Sequence, residues 1–390
     1  MNRNFENFGV GHVNPPISDS AMFEFESGAK MTEMFEVGIP GRFLYGRHLS
    51  PSNFLLAHDL AAMEGTDQAC VTATGMGAIS CVVMQICDAG DEIVASRTVY
   101  GGTYALFANF LPRFGVTTSF VNMNDLDEVR RTITEKTKIV YCETLSNPLL
   151  ACPDLVALGE LCRDRGIKLV VDNTFTPLIV HPIKLGADIV VHSLTKYVNG
   201  MGDHLGGAAC GSAEFIGSMI DVNTGSSMLL GPTMDAQVSA SIRKNFQTLP
   251  IRVKQHSKNA LAVAQKLQKS GFSVVYPGLP SHPDFARFER LSDPRYGAGA
   301  VFTLDCRDRN TADLFMQELV RHGIGHLAVS LGFVQTLFSM PACSTSSEIP
   351  EEERSRMGLS TGFVRFSVGV EPDSDALADA IVTIAQQIIR

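Results

Sequence analysis

The sequence predicts an α/β fold in which helices flank a mainly parallel central sheet, followed by a smaller α+β unit. From about residue 52, helical stretches alternate with short β-branched runs bounded by Gly, Asp or Asn, which is typical of repeated βα units. Several runs, such as Lys168-Leu-Val-Val-Asp172, lack polar alternation. Strands buried on both faces of a parallel sheet have this pattern.

The elements divide the chain into three predicted parts, because 390 residues exceed what one hydrophobic core usually supports. Residues 1–50 are rich in turn residues and are expected to form an extended arm. Residues 51–246 form the predicted large domain, with strands at 69–74, 91–96, 117–121, 138–143, 168–172 and 188–193. Residues 247–390 form the predicted smaller domain, with strands at 272–276, 300–305 and 363–368 and helices at 253–270, 311–322 and from 375.

Composition and charge exclude several classes of function. Hydrophobic residues make up 45% and charged residues 19%, as in folded globular proteins. The formal charge of −9 argues against nucleic acid as a partner. Neither a membrane span nor a signal peptide is predicted, so a cytoplasmic location is expected. The nine cysteines include no C-x-x-C pair and are expected to be reduced, mostly buried and not metal ligands.

Polar residues follow two predicted strands at their carboxyl ends, where ligands bind in such sheets. Asp172 ends one strand, and Ser193, Thr195 and Lys196 follow the next. An aspartate there can keep a pyridine ring protonated as an electron sink, and a lysine can form an imine with an aldehyde. Taken singly, Asp172 could merely cap a helix, and Lys196 could be a solvated lysine at the start of one. Together the residues favour a pyridoxal 5′-phosphate (PLP) site.

A glycine-rich turn at residues 71–80 is a second candidate feature. The predicted strand runs through Gly75, Met76 and Gly77 into an apolar helix, whose first N–H groups can bind a phosphate. The turn is close to the dinucleotide fingerprint G-x-G-x-x-G, but Ser80 replaces the last glycine. A structural turn and an NAD-type oxidoreductase are the alternatives, and the incomplete fingerprint argues against the latter.

Tyr100 follows the predicted strand at 91–96 and belongs to the same edge of the sheet. Its ring can stack on a planar cofactor, and its phenol can take part in acid chemistry. A tyrosine of the hydrophobic core is the structural alternative.

The chain resembles the Cys/Met-metabolism family of PLP-dependent enzymes over nearly its whole length. The most specific stretch is Asp188-Ile-Val-Val-His-Ser-Leu-Thr-Lys-Tyr-Val-Asn-Gly-Met-Gly-Asp203, supported by residues 170–175, 327–332 and 362–369. Within the family the likeness is greatest to methionine and cystathionine γ-lyases, in particular the plant-type methionine γ-lyase subgroup. It implies the fold of type I PLP-dependent transferases.

The resemblance implies three catalytic residues. Lys196 would hold the cofactor as a Schiff base and later move protons. Asp172 would pair with the nitrogen of the cofactor ring. Tyr100 would stack on the ring and assist the departing group.

Other matched residues would bind the cofactor or the substrate. The implied cofactor-binding residues are Gly75, Met76, Asn147, Ser193 and Thr195. Arg365, with Ser330 beside it, would bind the substrate carboxylate. Tyr45 and Arg47 resemble the Tyr-x-Arg that reaches the phosphate of a neighbouring subunit, and Tyr45 would also contact the substrate. The implied assembly is a homotetramer made of two active dimers.

The implied reaction is γ-elimination on methionine or a close γ-substituted amino acid. An oxygen-linked substrate such as canavanine is one alternative, and γ-replacement, as in O-acetylhomoserine sulfhydrylase or cystathionine γ-synthase, is another. A ligand-binding protein without activity is disfavoured, because every expected reacting group is present.

Three departures from the family pattern concern the substrate. Gly102 stands where several bacterial methionine γ-lyases have a cysteine, and Gln335 stands where glutamate is usual. Residues 339–348 replace the more common His-Pro-Ala-Ser-Met-Thr-His. Within that stretch, Glu348 is a candidate partner for a cationic substrate tail.

Overall fold

A computed structural model describes residues 13–36, 38, 41–147, 149–344 and 349–389. Within these residues the larger sheet has seven strands: β1 Gln68–Thr72, β2 Glu92–Ser96, β3 Thr117–Val121, β4 Thr137–Glu143, β5 Lys168–Asp172, β6 Ile189–Ser193 and β7 Gly207–Gly211. Their order is β1-β7-β6-β5-β4-β2-β3. The pairs from β3 to β6 are parallel, whereas β7 is antiparallel to both β6 and β1. The predicted mainly parallel sheet is confirmed.

Helices pack on both faces of this sheet. The α-helices of the described residues up to 246 are α1 Gly28–Glu36, α2 Pro51–Glu64, α3 Gly75–Ile86, α4 Gly101–Ala105, α5 Leu126–Thr132, α6 Leu155–Arg165, α7 Ala213–Met219, α8 Ser226–Leu230 and α9 Ala236–Phe246. Val171 packs in one buried cluster with Leu60 of α2, and Val170 packs in a second cluster with Ile79 of α3. Neighbouring residues of one strand therefore face opposite layers, which explains the continuous apolar runs.

Local signals in the sequence set the ends of α2. The Ser50 hydroxyl accepts a hydrogen bond from the Asn53 amide at 3.2 Å, and Pro51 occupies the first turn. Gly65 ends the helix with a φ of +78°, a left-handed conformation that costs glycine little. Such caps satisfy backbone groups that the helix itself leaves without partners.

The smaller sheet lies in the C-terminal part of the chain. Its strands are β8 Val274–Val275, β9 Val301–Asp305, β10 His326–Leu327, β11 Leu337–Ser339 and β12 Phe363–Ser367, in the order β10-β11-β12-β9-β8. The helices there are α10 Leu249–Lys269, α11 Phe285–Leu291, α12 Arg309–Arg321, α13 Glu351–Arg356 and α14 Ser374–Ile388. The predicted boundary at 246/247 falls between α9 and α10, and the division into domains stays a prediction.

The strands β7, β10 and β11 and the helix α1 were not anticipated. β7 reads Gly207-Ala-Ala-Cys-Gly211, which contains no β-branched or aromatic residue. It is fully buried, and a Cβ at Gly207 would overlap the carbonyl of Thr74. α1 lies inside the predicted extended arm and buries only Met34.

No helix in the described ranges combines the length and the apolar character that crossing a membrane requires. All nine cysteines are free, and each is buried except Cys343.

Candidate active site

A cavity of about 250 Å³ lies at the carboxyl ends of the strands of the larger sheet. β4, β5 and β6 are adjacent and parallel, so their polar ends meet at one edge. Loops of the smaller sheet close the other side. Ten of the predicted site residues line the cavity: Gly75, Met76, Tyr100, Asn147, Asp172, Ser193, Thr195, Lys196, Ser330 and Arg365.

Lys196 lies in the turn that follows β6, and its side chain points into the cavity. Its Nζ donates a hydrogen bond to Ser330 Oγ at 2.8 Å. Burial and the nearby Arg365 guanidinium lower the pKa of the Lys196 amine to about 8. About a tenth of this amine is therefore neutral at pH 7, and the neutral form is the nucleophile.

Asp172 ends β5, and its carboxyl group is buried in the wall of the cavity. Oδ1 accepts a hydrogen bond from the Thr174 amide at 2.9 Å, and Oδ2 accepts one from the Tyr141 hydroxyl at 3.4 Å. Burial raises the pKa of Asp172, and the Thr174 hydrogen bonds oppose that shift. A cationic ring nitrogen beside this carboxyl would stabilise its ionised form.

Glu143 also lines the cavity, although it was not among the predicted site residues. It ends β4 and lies directly beside Asp172 in the strand register. Burial and the neighbouring Asp172 raise the pKa of Glu143 well above its usual value. The rule that found Asp172, a polar residue at the end of a buried strand, would have found Glu143 as well.

Arg365 comes from β12 and is only 2% exposed. Its Nη1 donates to Asn147 Oδ1 at 2.8 Å, and its Nη2 donates to the Ser330 carbonyl at 3.2 Å. Burial lowers the pKa of Arg365 to about 10. Within the described residues no carboxylate forms an ion pair with Arg365, so a bound anion would compensate this buried charge.

The predicted phosphate turn forms the start of α3. The Thr74 side chain caps the helix by accepting from the Gly77 amide at 3.0 Å, which leaves the first N–H groups at the cavity wall. Gly75 packs so closely on the loop after β6 that a Cβ would lie 2.8 Å from Ser193 Cβ. The absence of a side chain at Gly75 therefore allows α3 and this loop to approach so closely.

The groups around the cavity fit PLP, whose parts are an aldehyde, a pyridine nitrogen and a phosphate. The amine of Lys196 can take the aldehyde, and the buried carboxyl of Asp172 can pair with the nitrogen. The amides at the start of α3 and the hydroxyls of Ser193 and Thr195 can bind the phosphate.

Tyr100 stands at the mouth of the cavity and is 42% exposed. A Cβ at Gly102 would lie 2.5 Å from Tyr100 Cε1, so the glycine leaves room for the ring. Tyr45 and Arg47 are not among the cavity-lining residues. Arg47 Nη1 instead donates to the Met228 carbonyl at 2.9 Å, and the cross-subunit roles of both residues stay predictions.

Apart from Thr74 and Thr174, apolar side chains form the rest of the wall, and sequence reasoning missed them. They are Ile79, Phe175, Leu205, Val329 and Leu331. Leu205 and Val329 are more than half exposed and lie at the open side. Their spacing in the chain shows no pattern, because they come from α3 and from separate loops that only the tertiary structure brings together.

Comparisons with known proteins agree with this geometry. The profile of the Cys/Met metabolism PLP-dependent enzyme family matches residues 2–383. Methionine gamma-lyase of Arabidopsis thaliana is 40% identical over 365 residues, covering 92% of this chain and 83% of the plant protein. O-succinylhomoserine sulfhydrylase of Pseudomonas aeruginosa is 34% identical over 372 residues, covering 95% of this chain and 90% of that protein.

A solved structure shows the same architecture with a bound cofactor. It is a putative O-acetylhomoserine (thiol)-lyase of Campylobacter jejuni with N′-pyridoxyl-lysine-5′-monophosphate. The two structures superpose with a TM-score of 0.88 at 26% identity, covering 96% of each chain. The chain therefore belongs to the Cys/Met metabolism PLP-dependent enzyme family, and pyridoxal 5′-phosphate is its cofactor.

Proposed function

We propose that the protein is a γ-lyase that releases the γ-substituent of L-methionine or of a close analogue. The observation that carries this proposal is the pairing of a buried arginine with an apolar wall in one cavity. Arg365 donates one N–H group to Asn147 and one to Ser330, and its remaining N–H groups can bind an α-carboxylate. Leu205 and Val329 offer an apolar surface to an uncharged side chain. The 40% identity to a plant methionine gamma-lyase supports the same substrate.

Three residues carry the reaction in this proposal. PLP, when bound, supplies the electron sink that stabilises negative charge next to the substrate Cα. The Lys196 amine would take the proton from Cα, pass it to the former aldehyde carbon of the cofactor and, neutral again, take one from Cβ. The Asp172 carboxylate keeps the ring nitrogen protonated, and the Tyr100 hydroxyl donates a proton to the departing sulfur. Hydrolysis of the remaining enamine gives 2-oxobutanoate and ammonia.

The remaining residues bind and orient. We assign the phosphate to the Gly75 and Met76 amides and to the hydroxyls of Ser193 and Thr195. Asn147 accepts a hydrogen bond from Arg365 and would lie near the phenolic oxygen of the cofactor. Ser330 accepts a hydrogen bond from the free Lys196 amine, which supports its placement beside the substrate.

Canavanine and γ-replacement are the competing activities. A cationic tail needs a carboxylate partner, and the carboxyl groups of the described cavity wall are those of Glu143 and Asp172. Both already accept hydrogen bonds within the chain, which disfavours this substrate. Glu348, the other candidate, lies outside the described residues. The sulfhydrylase of Pseudomonas aeruginosa is the relative that favours γ-replacement.

One substrate panel separates these activities. The purified holoenzyme is incubated with methionine, cystathionine, O-acetylhomoserine and canavanine, with and without sulfide, and 2-oxobutanoate, homoserine and thiols are measured. We expect methionine to yield 2-oxobutanoate and a thiol without sulfide. If methionine yields neither product, the proposed substrate is wrong, and a sulfide-dependent product from O-acetylhomoserine would establish γ-replacement instead.

We further propose a homotetramer in which Tyr45 and Arg47 complete the site of a neighbouring subunit. The exposure of Tyr45, at 44%, supports a partner surface there. A complementation experiment tests this: Lys196→Ala and Arg47→Ala proteins, each inactive alone, are dissociated, mixed and reassembled. Hybrids contain one intact site if Arg47 acts across the interface, so activity should return. Inactive hybrids of correct size would contradict the proposal.

A further inference from the structure

Glu143 joins two separate segments of the cavity wall through their main chains. Its Oε1 accepts a hydrogen bond from the Tyr100 amide at 2.7 Å, just before α4. Its Oε2 accepts one from the Asn147 amide at 3.1 Å, in the loop after β4. One carboxyl group thus binds the backbone of Tyr100 and the backbone of Asn147 at the same time.

The contacts continue from Asn147 to the smaller sheet. Asn147 Oδ1 accepts from Arg365 Nη1 at 2.8 Å, and Arg365 Nη2 donates to the Ser330 carbonyl at 3.2 Å. Ser330 Oγ accepts from Lys196 Nζ at 2.8 Å. Hydrogen bonds and short chain links therefore connect Glu143 with the guanidinium and the amine on the far side of the cavity.

The chemistry of the position favours a carboxyl group. Two backbone N–H groups converge on Glu143, and each of its oxygens accepts one of them. A glutamine of the same size has one acceptor oxygen and an NH2 group, which would face one of the two N–H groups. Burial and the nearby Asp172 carboxyl raise the pKa of Glu143, and the two N–H donors oppose that shift only in part.

We propose that Glu143 is a positioning residue that sets the orientation of Arg365 through Asn147, and of Tyr100 through its backbone. The inference rests on the proposed function in one respect, since the ligand of Arg365 is taken to be the carboxylate of an amino acid. Loss of the two hydrogen bonds to Glu143 should therefore weaken binding of carboxylate-bearing amines selectively. Amines without a carboxylate should bind as before.

The test uses the holoenzyme of Glu143→Gln and titrates it with glycine and with methylamine, following the visible absorbance of the cofactor. We expect the Kd of glycine to rise about tenfold, as for loss of one hydrogen bond to a charged group, with the Kd of methylamine within about twofold. Glu128→Gln is the matched control, because Glu128 accepts from the Asn122 amide at 3.0 Å without lining the cavity. It should change neither constant.

A double-mutant cycle separates positioning from a general structural effect. In an Arg365→Ala background, Glu143→Gln should no longer change the Kd of glycine, because the group it positions is gone. Equal glycine affinity in Glu143→Gln and wild type would overturn the inference, and so would parallel losses for glycine and methylamine. If Glu143→Gln does not fold, Glu143→Asp, which is too short to reach both amides, is measured against the same expectations.

The outcome is independent of the substrate panel. Glycine has no γ-substituent, so its binding does not depend on which bond the enzyme breaks. A wild-type protein that binds glycine but leaves methionine intact would contradict the proposed function alone. A protein that cleaves methionine but shows no selective loss in Glu143→Gln would contradict the inference alone.

Discussion

The amine of Lys196 and the hydroxyl of Ser330 lie 2.8 Å apart, although 134 residues separate them in the chain. Lys196 follows the last parallel strand of the larger sheet, and Ser330 lies between β10 and β11 of the smaller one. Ser330 has a φ of +113°, a conformation that costs free energy for any residue with a side chain. The packing of the two sheets therefore sustains a strained residue at the reactive amine.

The cofactor-free protein should take up PLP at Lys196 with a pH midpoint near 8. Because burial holds the pKa of Lys196 at about 8, the amine loses its proton as the pH rises through that value. The rate of loading should climb up to about pH 8 and level off above it. At pH 7 the neutral fraction is about 300-fold larger than that of an ordinary lysine. Borohydride trapping after short incubations, followed by peptide mapping, measures the rate.

Lys168 is the internal control for this labelling, because it is exposed and pairs with Asp188 at 2.9 Å. Lys196→Ala should abolish the covalent label and lower the turnover rate at least about a thousandfold. A loading rate that still increases at alkaline pH, or a label on another lysine, would refute the assignment.

Replacing Arg365 by lysine should impair substrate binding and leave cofactor binding intact. Lysine keeps the positive charge but cannot donate to Asn147, Ser330 and a carboxylate at once. The KM of methionine should rise about 10- to 100-fold, as for loss of a charged hydrogen bond, with an unchanged cofactor absorbance.

Arg243→Lys provides the comparison, since Arg243 pairs with Asp59 at 2.7 Å and does not line the cavity. Its kinetics should match those of the wild type. An Arg365→Lys enzyme with a normal KM would show that the carboxylate binds elsewhere.

Adding one methyl group at Gly75 should weaken PLP binding. In Gly75→Ala the new Cβ would lie 2.8 Å from Ser193 Cβ, so α3 and the loop after β6 must separate where the phosphate is proposed to bind. The Kd of the cofactor for the apo protein should rise at least about tenfold. Fluorescence titration with PLP measures this constant.

Gly217→Ala is the matched control, because a Cβ at Gly217 meets nothing within 4 Å. Gly217 lies in α7, so the substitution should leave cofactor binding unchanged and keep the protein at least as stable. Equal cofactor affinity in both variants would contradict the phosphate assignment.

A substitution at Gly102 should act through Tyr100. In Gly102→Ala the Cβ would meet the Tyr100 ring at 2.5 Å, and the ring can move because it stands at the open mouth. The kcat for methionine should fall at least about 100-fold, in line with loss of an acid group, while the melting temperature does not decrease. Steady-state kinetics and thermal unfolding give the two values.

Tyr100→Phe keeps the ring but removes the hydroxyl, so it should lower kcat by a similar factor. Combining the two substitutions should add little, because both remove the same group from its place. Fully additive losses would mean that Gly102 serves some other purpose.

The fold class was predictable because buried parallel strands leave a clear pattern in the chain. The uniform apolar runs before Asp172 and Ser193 indicated strands covered on both faces, and the structure has them. β7 escaped prediction because glycine and alanine have low strand propensity, and its pairing depends on close approach to Thr74.

The sequence by itself determined the order of βα units, the family, the cofactor and the placement of Asp172 and Lys196 at neighbouring strand ends. These follow from local patterns, because a strand, its polar end and the next turn are contiguous. Only the tertiary structure decided that Glu143 accepts hydrogen bonds from the Tyr100 and Asn147 amides. It also decided that Arg365 and Ser330 face Lys196. Such contacts join residues far apart in the chain, and no local spacing encodes which side chains two packed sheets bring together.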